Sequence, residues 1–273
     1  MRLQKILSRL QRLHPKEIDL SLNRIKNLCE KLGNPQDKIN CIQVCGTNGK
    51  GSTISFLRSI LREANYKCNI YTSPHVKCIN ERFIYNDEMI SDDDLSNLLN
   101  EIEETNNGQP LTYFEALTAA FFHGCKKYKQ NLVIAEFGLF GRGDAVNILK
   151  KNLCNIVTSC SEDHLDWLPK NDRNIERIIF EKTSSLLESN IVVAKQTSDV
   201  ITECIKKNIS NNNANKYYFN ENYNFVLKEN NFFYYEDNYG GLKIPRPNLN
   251  GQFQLENAST AIATLRILEN LKI

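Results

Sequence analysis

No stretch of this sequence approaches the roughly 20 consecutive apolar residues a membrane span needs, so no membrane partner is expected. Nor does one charge dominate: 34 basic residues against 32 acidic leave a net +2, with Lys and Asn dispersed and no basic block. Such a balance gives no strong attraction to nucleic acid or to a membrane surface. The nine cysteines include no C-x-x-C pair, and an odd number cannot all pair. Reduced thiols in a cytoplasmic protein are therefore expected rather than a disulfide framework. Residues 1–13 are basic and amphipathic, with Leu3, Ile6, Leu7 and Leu10 on one helical face. They lack the uninterrupted apolar centre of a signal peptide or anchor, and acidic residues returning at Glu17 and Asp19 weigh against a transit peptide. Internal repeats and long low-complexity linkers are missing too.

What is present is an ordinary globular composition, 41% hydrophobic and 24% charged over 273 residues, long enough to bury a large core. Helical periodicity covers 4–13 and 17–32, the second segment carrying Leu20, Leu22, Ile25 and Leu28 and stopped by Gly33-Asn34-Pro35. A strand at 42–44 feeds a helix from Ser52 to Ala64, and Cys68 to Tyr71 makes a second strand. Thr72 to Arg82 reads as an ordered loop, followed by helices at 91–104 and 112–128. Short apolar strands at 132–135 and 155–158, a helix at 173–189, a strand at 191–194 and a helix at 199–208 continue the alternation. Residues 208–224, rich in Asn and Tyr, read as a solvated turn region. Tyr223–Leu227 and Phe232–Tyr235 suggest a hairpin around 228–231, and a last helix runs from Phe253 to Leu271. Repeated strand–helix alternation predicts an α/β fold: a doubly wound, mostly parallel sheet with helices on both faces and a small β appendage. We expect 1–273 to be one domain, with a helical N-terminal segment (1–38), the appendage (215–250) and a linking helix (252–271).

The chemistry centres on Gly46-Thr47-Asn48-Gly49-Lys50-Gly51-Ser52-Thr53, which lies between the first strand and a helix. Glycines let backbone amides approach one anion, the helix N-terminus adds partial positive charge, and Lys50 supplies a full one. The segment departs from G-x-x-x-x-G-K-[ST], because Gly51 follows the lysine and the hydroxyl of Ser52 comes one place later. In parallel sheets ligands gather at the carboxyl ends of strands. Ser73 follows the second strand, Glu136 ends the strand at 132–135 and His164 follows the strand at 155–158, so all are expected on that rim. Glu136 suits magnesium, a hard cation that prefers oxygen; the alternative is a capping role on nearby backbone. His164 could ligate metal, act as a base or be a hydrogen-bonded structural histidine. Lys182 shares a helical face with Ile175, Ile178, Ile179 and Leu186, so it must snorkel, meet an anion or change its charge.

Several ordered segments together resemble the folylpolyglutamate synthase/dihydrofolate synthase family of the Mur ligase superfamily. They are the Lys50 loop, Thr72-Ser73-Pro74-His75 with Asn80-Glu81-Arg82, Leu111-Thr112-Tyr113-Phe114-Glu115 and Glu136-Phe137-Gly138-Leu139. Asp163-His164 with Asp166-Trp167-Leu168, Glu181-Lys182 and Gln254-Leu255-Glu256-Asn257-Ala258 continue the match in order. The resemblance implies a P-loop-type sheet and an ATP-dependent ligase of folate biosynthesis and one-carbon metabolism. In it a pteroate or folate carboxylate is phosphorylated and the acyl phosphate is attacked by L-glutamate. Carried over by motif, Gly46 to Thr53 cradle the phosphates with Lys50 as charge partner, and Asn257 faces the adenine. Ser73, Pro74, His75, Arg82 and Phe114 line the acceptor pocket. Ser52, Ser73, Glu136, His164 and Lys182 hold two magnesium ions, Lys182 being the lysine that the family carbamylates. Lys50, His164 and Lys182 would be the catalytic residues.

The match has departures. The family pattern E-x-G-L-G-G-R-x-D-A-T-N meets Phe140 at a glycine position and Val146 at the threonine, Ser161-Glu162 replaces Gly-Leu, and Phe253 stands where histidine is usual. The family also continues into a C-terminal ligase domain that this sequence is expected to lack. A monomer that meets such a domain as a separate partner is one expectation. A non-catalytic ATP- or folate-binding module or partner subunit is the alternative, and a small ATPase or nucleotide kinase using only the phosphate loop is a third.

Overall fold

The computed structural model describes every residue except 1, 15, 17, 18, 130, 131, 230 and 273. In chain order the first elements are α1 (Arg2–Gln11), α2 (Asn23–Lys31), β1 (Cys41–Cys45), α3 (Lys50–Glu63) and β2 (Cys68–Tyr71). Then come β3 (Phe83–Tyr85), β4 (Glu88–Met89), α4 (Asp92–Asn106), α5 (Tyr113–Gly124), β5 (Leu132–Glu136) and β6 (Cys154–Val157). They are followed by α6 (Ile175–Thr183), β7 (Asn190–Val193), α7 (Asp199–Asn208) and β8 (Asn215–Tyr218). The chain closes with β9 (Tyr223–Glu229), β10 (Phe232–Asp237), β11 (Gly240–Pro245) and α8 (Phe253–Asn270). Among the described residues no helix is long and apolar enough to cross a membrane. The packing gathers into two units, Met1–Cys41 with Tyr66–Lys150, and Ile42–Asn65 with Lys151–Ile273.

In the first unit β2 pairs parallel with β5 (Ile70 opposite Ile134) and antiparallel with β3 (Ile70 opposite Ile84). The helices start where the side chains say they should. Ser91 caps α4 by accepting from the Asp94 amide, and Thr112 and Glu115 form a reciprocal capping box at α5. Helix α5 is buried almost all round, as its mostly apolar sequence demands. Around it Tyr71 stacks on Phe121 at 5.0 Å and Tyr85 on Phe121 at 5.5 Å, giving an aromatic centre to this unit. Helix α1 lays Leu3, Ile6, Leu7 and Leu10 inward against α4 and α5.

In the second unit β1, β6, β7 and β8 are parallel neighbours, with Cys45 opposite Val157, Val157 opposite Val193 and Val193 opposite Tyr218. These strands are buried along their lengths except β8, so both faces of β1, β6 and β7 are covered. Helix α3 runs along α8, whose small residues Ala258, Ser259 and Ala261 permit close approach. The antiparallel β9–β10–β11 sheet joins α8 through a bidentate ion pair, Arg266 Nε to Asp237 Oδ2 at 2.7 Å and Nη2 to Oδ1 at 3.0 Å.

Several expectations are corrected. The helix expected from residue 17 starts at Asn23, its predicted start at 17–18 lies outside the described residues, and Leu20 is half exposed. Helix α6 spans 175–183 rather than 173–189, because Ser184-Ser185 break its apolar periodicity. The stretch after 82 holds a hairpin, β3–β4, turning on Asn86 and Asp87 with φ of 54° and 67°. Those left-handed values are what a two-residue type I′ turn requires. The solvated turn region at 208–224 contains β8, an added parallel strand, and the hairpin gains a third strand, β11. Of the expected hairpin turn, Asn230 lies outside the described residues.

Candidate functional site

Strand β1 delivers the chain into the glycine loop at Gly46, whose φ is 131°, a value glycine tolerates and L side chains do not. A Cβ there would stand 2.1 Å from Thr158 Oγ1 and 3.1 Å from that residue's backbone carbon. Thr158 is held in place by donating from its hydroxyl and its amide to the Cys45 carbonyl, at 3.0 and 2.9 Å. The loop's first amides are then fixed by the segment after β6: Thr47 N and Asn48 N both donate to Ser159 O, at 2.9 and 3.0 Å. Thr47 Oγ1 donates to Ser161 O at 3.1 Å, and Asn48 Nδ2 to Ser161 Oγ at 3.1 Å. Gly49, with φ of 85°, is the N-cap of α3, and the Thr53 amide closes the first helical bond onto the Gly49 carbonyl at 2.9 Å. The opening amides of a helix have no carbonyl behind them, so this turn offers donors and dipole to an anion. Next to it, a Cβ on Gly51 would meet nothing within 4 Å.

Two lysines converge on this loop. Lys50 Nζ donates to the carbonyls of Gly46 (3.1 Å) and Thr47 (3.2 Å), and Lys182 Nζ donates to the same Gly46 carbonyl at 3.1 Å. Lys182 is 1% exposed, so the inward lysine expected on α6 does not snorkel. Its burial first, and the neighbouring Lys50 charge second, push its pKa below the ordinary lysine value. His164 takes a left-handed backbone (φ 56°) in the loop after β6 and sits 3.1 Å from Asp163. Its pKa is lowered by burial, raised by Asp163 and lowered again by Lys182 and Lys50. Asn257 on α8 reaches the loop: its Oδ1 would lie 2.3 Å from a Gly49 Cβ, while its Nδ2 donates to Gln254 Oε1 at 3.0 Å. Thus Gly46–Thr53, Lys50, Lys182, His164 and Asn257, all in the second unit, cluster by direct contact or electrostatic reach.

The remaining expected residues form a cluster of their own in the first unit. The Ser73 amide donates to Glu136 Oε2 at 2.9 Å, so the carboxyl ends of β2 and β5 bring these two together. Both are buried, and Ser73 Oγ has no hydrogen-bond partner among the described residues. A buried hydroxyl left over beside a buried carboxylate suits a hard cation that collects oxygens. Among the described residues no three His, Cys, Asp or Glu side chains gather as a metal cluster. Pro74 follows through a cis peptide bond, and Arg82 Nε donates to His75 Nδ1 at 3.0 Å. The His75 pKa is lowered, by burial first and the Arg82 charge second. Phe114 lies over Gly138, where a Cβ would be 2.6 Å from the ring. Of the departures, Phe140 and Val146 are fully buried, so each changes packing rather than presenting a side chain to an opening, whereas Phe253 is exposed.

Residues to which the sequence assigns no role in the site also belong here. Thr158, Ser159 and Ser161 shape the glycine loop, and a serine-rich stretch after an apolar strand was the available signal. Arg24 Nε donates to buried Glu115 at 3.0 Å, fastening α2 to the start of α5 beside Phe114.

A buried parallel strand, a glycine loop and a helix opening on it define an α/β domain of the phosphate-loop class. A sequence profile of the Mur ligase middle domain matches residues 44–265. The chain belongs to that family. A dihydrofolate synthase/folylpolyglutamate synthase of Bacillus subtilis is 38% identical over 193 residues, 68% of this chain and 44% of that protein. The Escherichia coli protein of the same name is 38% identical over 171 residues, 63% of this chain and 40% of that protein. Among solved structures, E. coli FolC in complex with DHPP and ADP matches 97% of this chain and 61% of that chain, with a TM-score of 0.86 and 33% identity. The bifunctional folylpolyglutamate synthase/dihydrofolate synthase of Yersinia pestis, complexed with AMPPNP and Mn ion, matches 97% and 62%, with a TM-score of 0.85 and 31% identity. The chain therefore spans about two-fifths of the length of these curated relatives.

Proposed function

We propose that this chain is the nucleotide-binding portion of an ATP-dependent ligase that adds L-glutamate to dihydropteroate and/or folate. The observation that carries the reading is the convergence of Lys50 and Lys182 on one carbonyl of a glycine loop whose Gly51 borders open space. An acceptor carboxylate oxygen attacks the γ-phosphorus of ATP and ADP leaves; the amine of glutamate then displaces phosphate from the acyl phosphate and loses a proton. In this reading the amides of the first turn of α3 and Lys50 bind the phosphates, Asn257 orients the adenine, and Ser73, Pro74, His75, Arg82 and Phe114 hold the acceptor. Ser52, Ser73, Glu136, His164 and Lys182 would hold two magnesium ions, which neutralise charge on the transferring phosphoryl group. The lowered pKa of Lys182 gives it a larger share of neutral amine than an ordinary lysine has, and that form adds carbon dioxide and releases a proton to become a carbamate. A carbon-13 carbamate signal after labelling with bicarbonate, absent from Lys182→Ala, checks this step.

Titration with Mg·ADP tests the reading: wild type binds, and Lys50→Ala weakens binding at least about tenfold, the loss of one charge-assisted contact. With the remaining portion of a relative supplied in trans, ADP release should require both pteroate and glutamate. Turnover indifferent to pteroate would sink the ligase assignment. Lys182→Met, which removes a buried cation, should raise unfolding stability by about 1–2 kcal/mol while abolishing turnover. Full burial of Phe140 and Val146 favours the ligase over a non-catalytic module, since neither side chain blocks an opening.

A further inference from the structure

The segment Thr158–Ser161 is the surface against which the first half of the glycine loop is shaped, through Ser159 O and both sides of Ser161. That segment is itself gripped from its far side by one side chain. Gln196, in the loop after β7, accepts from the Cys160 amide through Oε1 at 2.9 Å. Its Nε2 donates to Thr158 O at 3.3 Å and to Ala194 O at 2.8 Å. The Ala194 amide in turn donates to Val157 O at 2.8 Å, so the loop after β7 and the segment after β6 are locked together. One residue earlier, Lys195 pairs with Glu256 at 2.8 Å, next to Asn257 on α8. The loop after β7 thus touches both supports of the glycine loop, while among the described residues Gln196 bonds to Cys160, Thr158 and Ala194 rather than to the loop itself.

We propose that Gln196 is a positioning residue for nucleotide binding: it fixes Thr158–Ser161 and, through them, the amides of Thr47 and Asn48. The inference rests on the nucleotide reading of the glycine loop. Only a primary amide at this reach supplies one acceptor and two donors; glutamate keeps the acceptor but turns a second oxygen on the carbonyls of Thr158 and Ala194. Methionine keeps the shape and removes all three bonds.

The test compares Gln196→Met, Gln196→Glu and a control, Asn212→Ala, which removes a 2.7 Å bond to Leu186 O elsewhere in the same unit. Mg·ADP affinity, thermal midpoint and amide exchange at Thr47 and Asn48 are measured on each. Expected is an affinity loss of about tenfold in both Gln196 variants, the scale on which slight misplacement of binding groups acts. Exchange at Thr47 and Asn48 should quicken, whereas the control loses thermal midpoint and keeps wild-type affinity. Wild-type affinity with unchanged exchange in either Gln196 variant overturns the proposal, as does an equal affinity loss in the control. Should wild type itself not bind Mg·ADP, the nucleotide reading fails on its own, and unchanged exchange at Thr47 and Asn48 would still decide against Gln196.

Discussion

Gly51 and Gly49 are two residues apart, yet substitution should separate them. A Cβ on Gly49 collides with Asn257 on a left-handed backbone, whereas one on Gly51 meets no atom within 4 Å. Gly51→Ala within α3 should therefore raise stability by up to about 1 kcal/mol, the helix-propensity difference, with no local strain to offset it. The same methyl should occupy room that a phosphate needs and weaken Mg·ADP binding about tenfold; thermal unfolding and titration on one sample check both signs. Such residues were legible in the sequence because the glycine loop is contiguous and Lys182 declares itself by sitting among Ile178, Ile179 and Leu186. Thr158 and Gln196 were not, because their value lies in hydrogen bonds between strands far apart in sequence, 113 residues for Thr158 and Cys45.

At the scale of elements, the 73–82 segment keeps its shape through one acid. Glu81 accepts the amides of Val76, Lys77 and Cys78 at 2.7, 3.0 and 3.2 Å, and these bonds hold its pKa below the ordinary 4.5. An acid depressed in the folded state contributes order that is complete above 4.5 and is lost as pH falls through the lower folded value. Amide protection at Val76–Cys78, corrected for intrinsic exchange, should hold from neutrality to 4.5 and collapse below it; Glu81→Gln should lose it at neutral pH. The β appendage depends on a different charge. Asp237 is 5% exposed at its side chain, so Arg266→Ala leaves a buried carboxylate with the Tyr235 hydroxyl and the Tyr239 amide but without its cation, and should destabilise by about 3 kcal/mol. Denaturant melts measure that cost, and faster proteolysis within β9–β11 locates it. Elements with apolar runs, such as β5 and β6, were plain in the sequence, but β8 was hidden: Asn-rich flanks and partly exposed residues mask a strand that only pairing with β7 defines.

For the whole molecule, the alternation of strands and helices was the robust signal, since parallel strands covered on both faces must read as apolar runs. The cysteines offer a test that samples both units at once. Seven are buried, Cys204 is half-buried and Cys78 is exposed; burial pushes Cys29 and Cys125 up to about 12. A thiol reagent at neutral pH should label Cys78 at once and Cys204 more slowly, with seven more thiols reacting only after denaturation. Rapid native labelling of more than two would contradict this packing. The two ammonium groups on the Gly46 carbonyl bear on kinetics. A bond to a carbonyl orients an ammonium group without cancelling its charge, so both lysines add to the field that an anion meets on its approach. Capture of a polyanionic nucleotide should then slow as ionic strength rises, and the salt dependence of the association rate measures how far these charges steer the encounter.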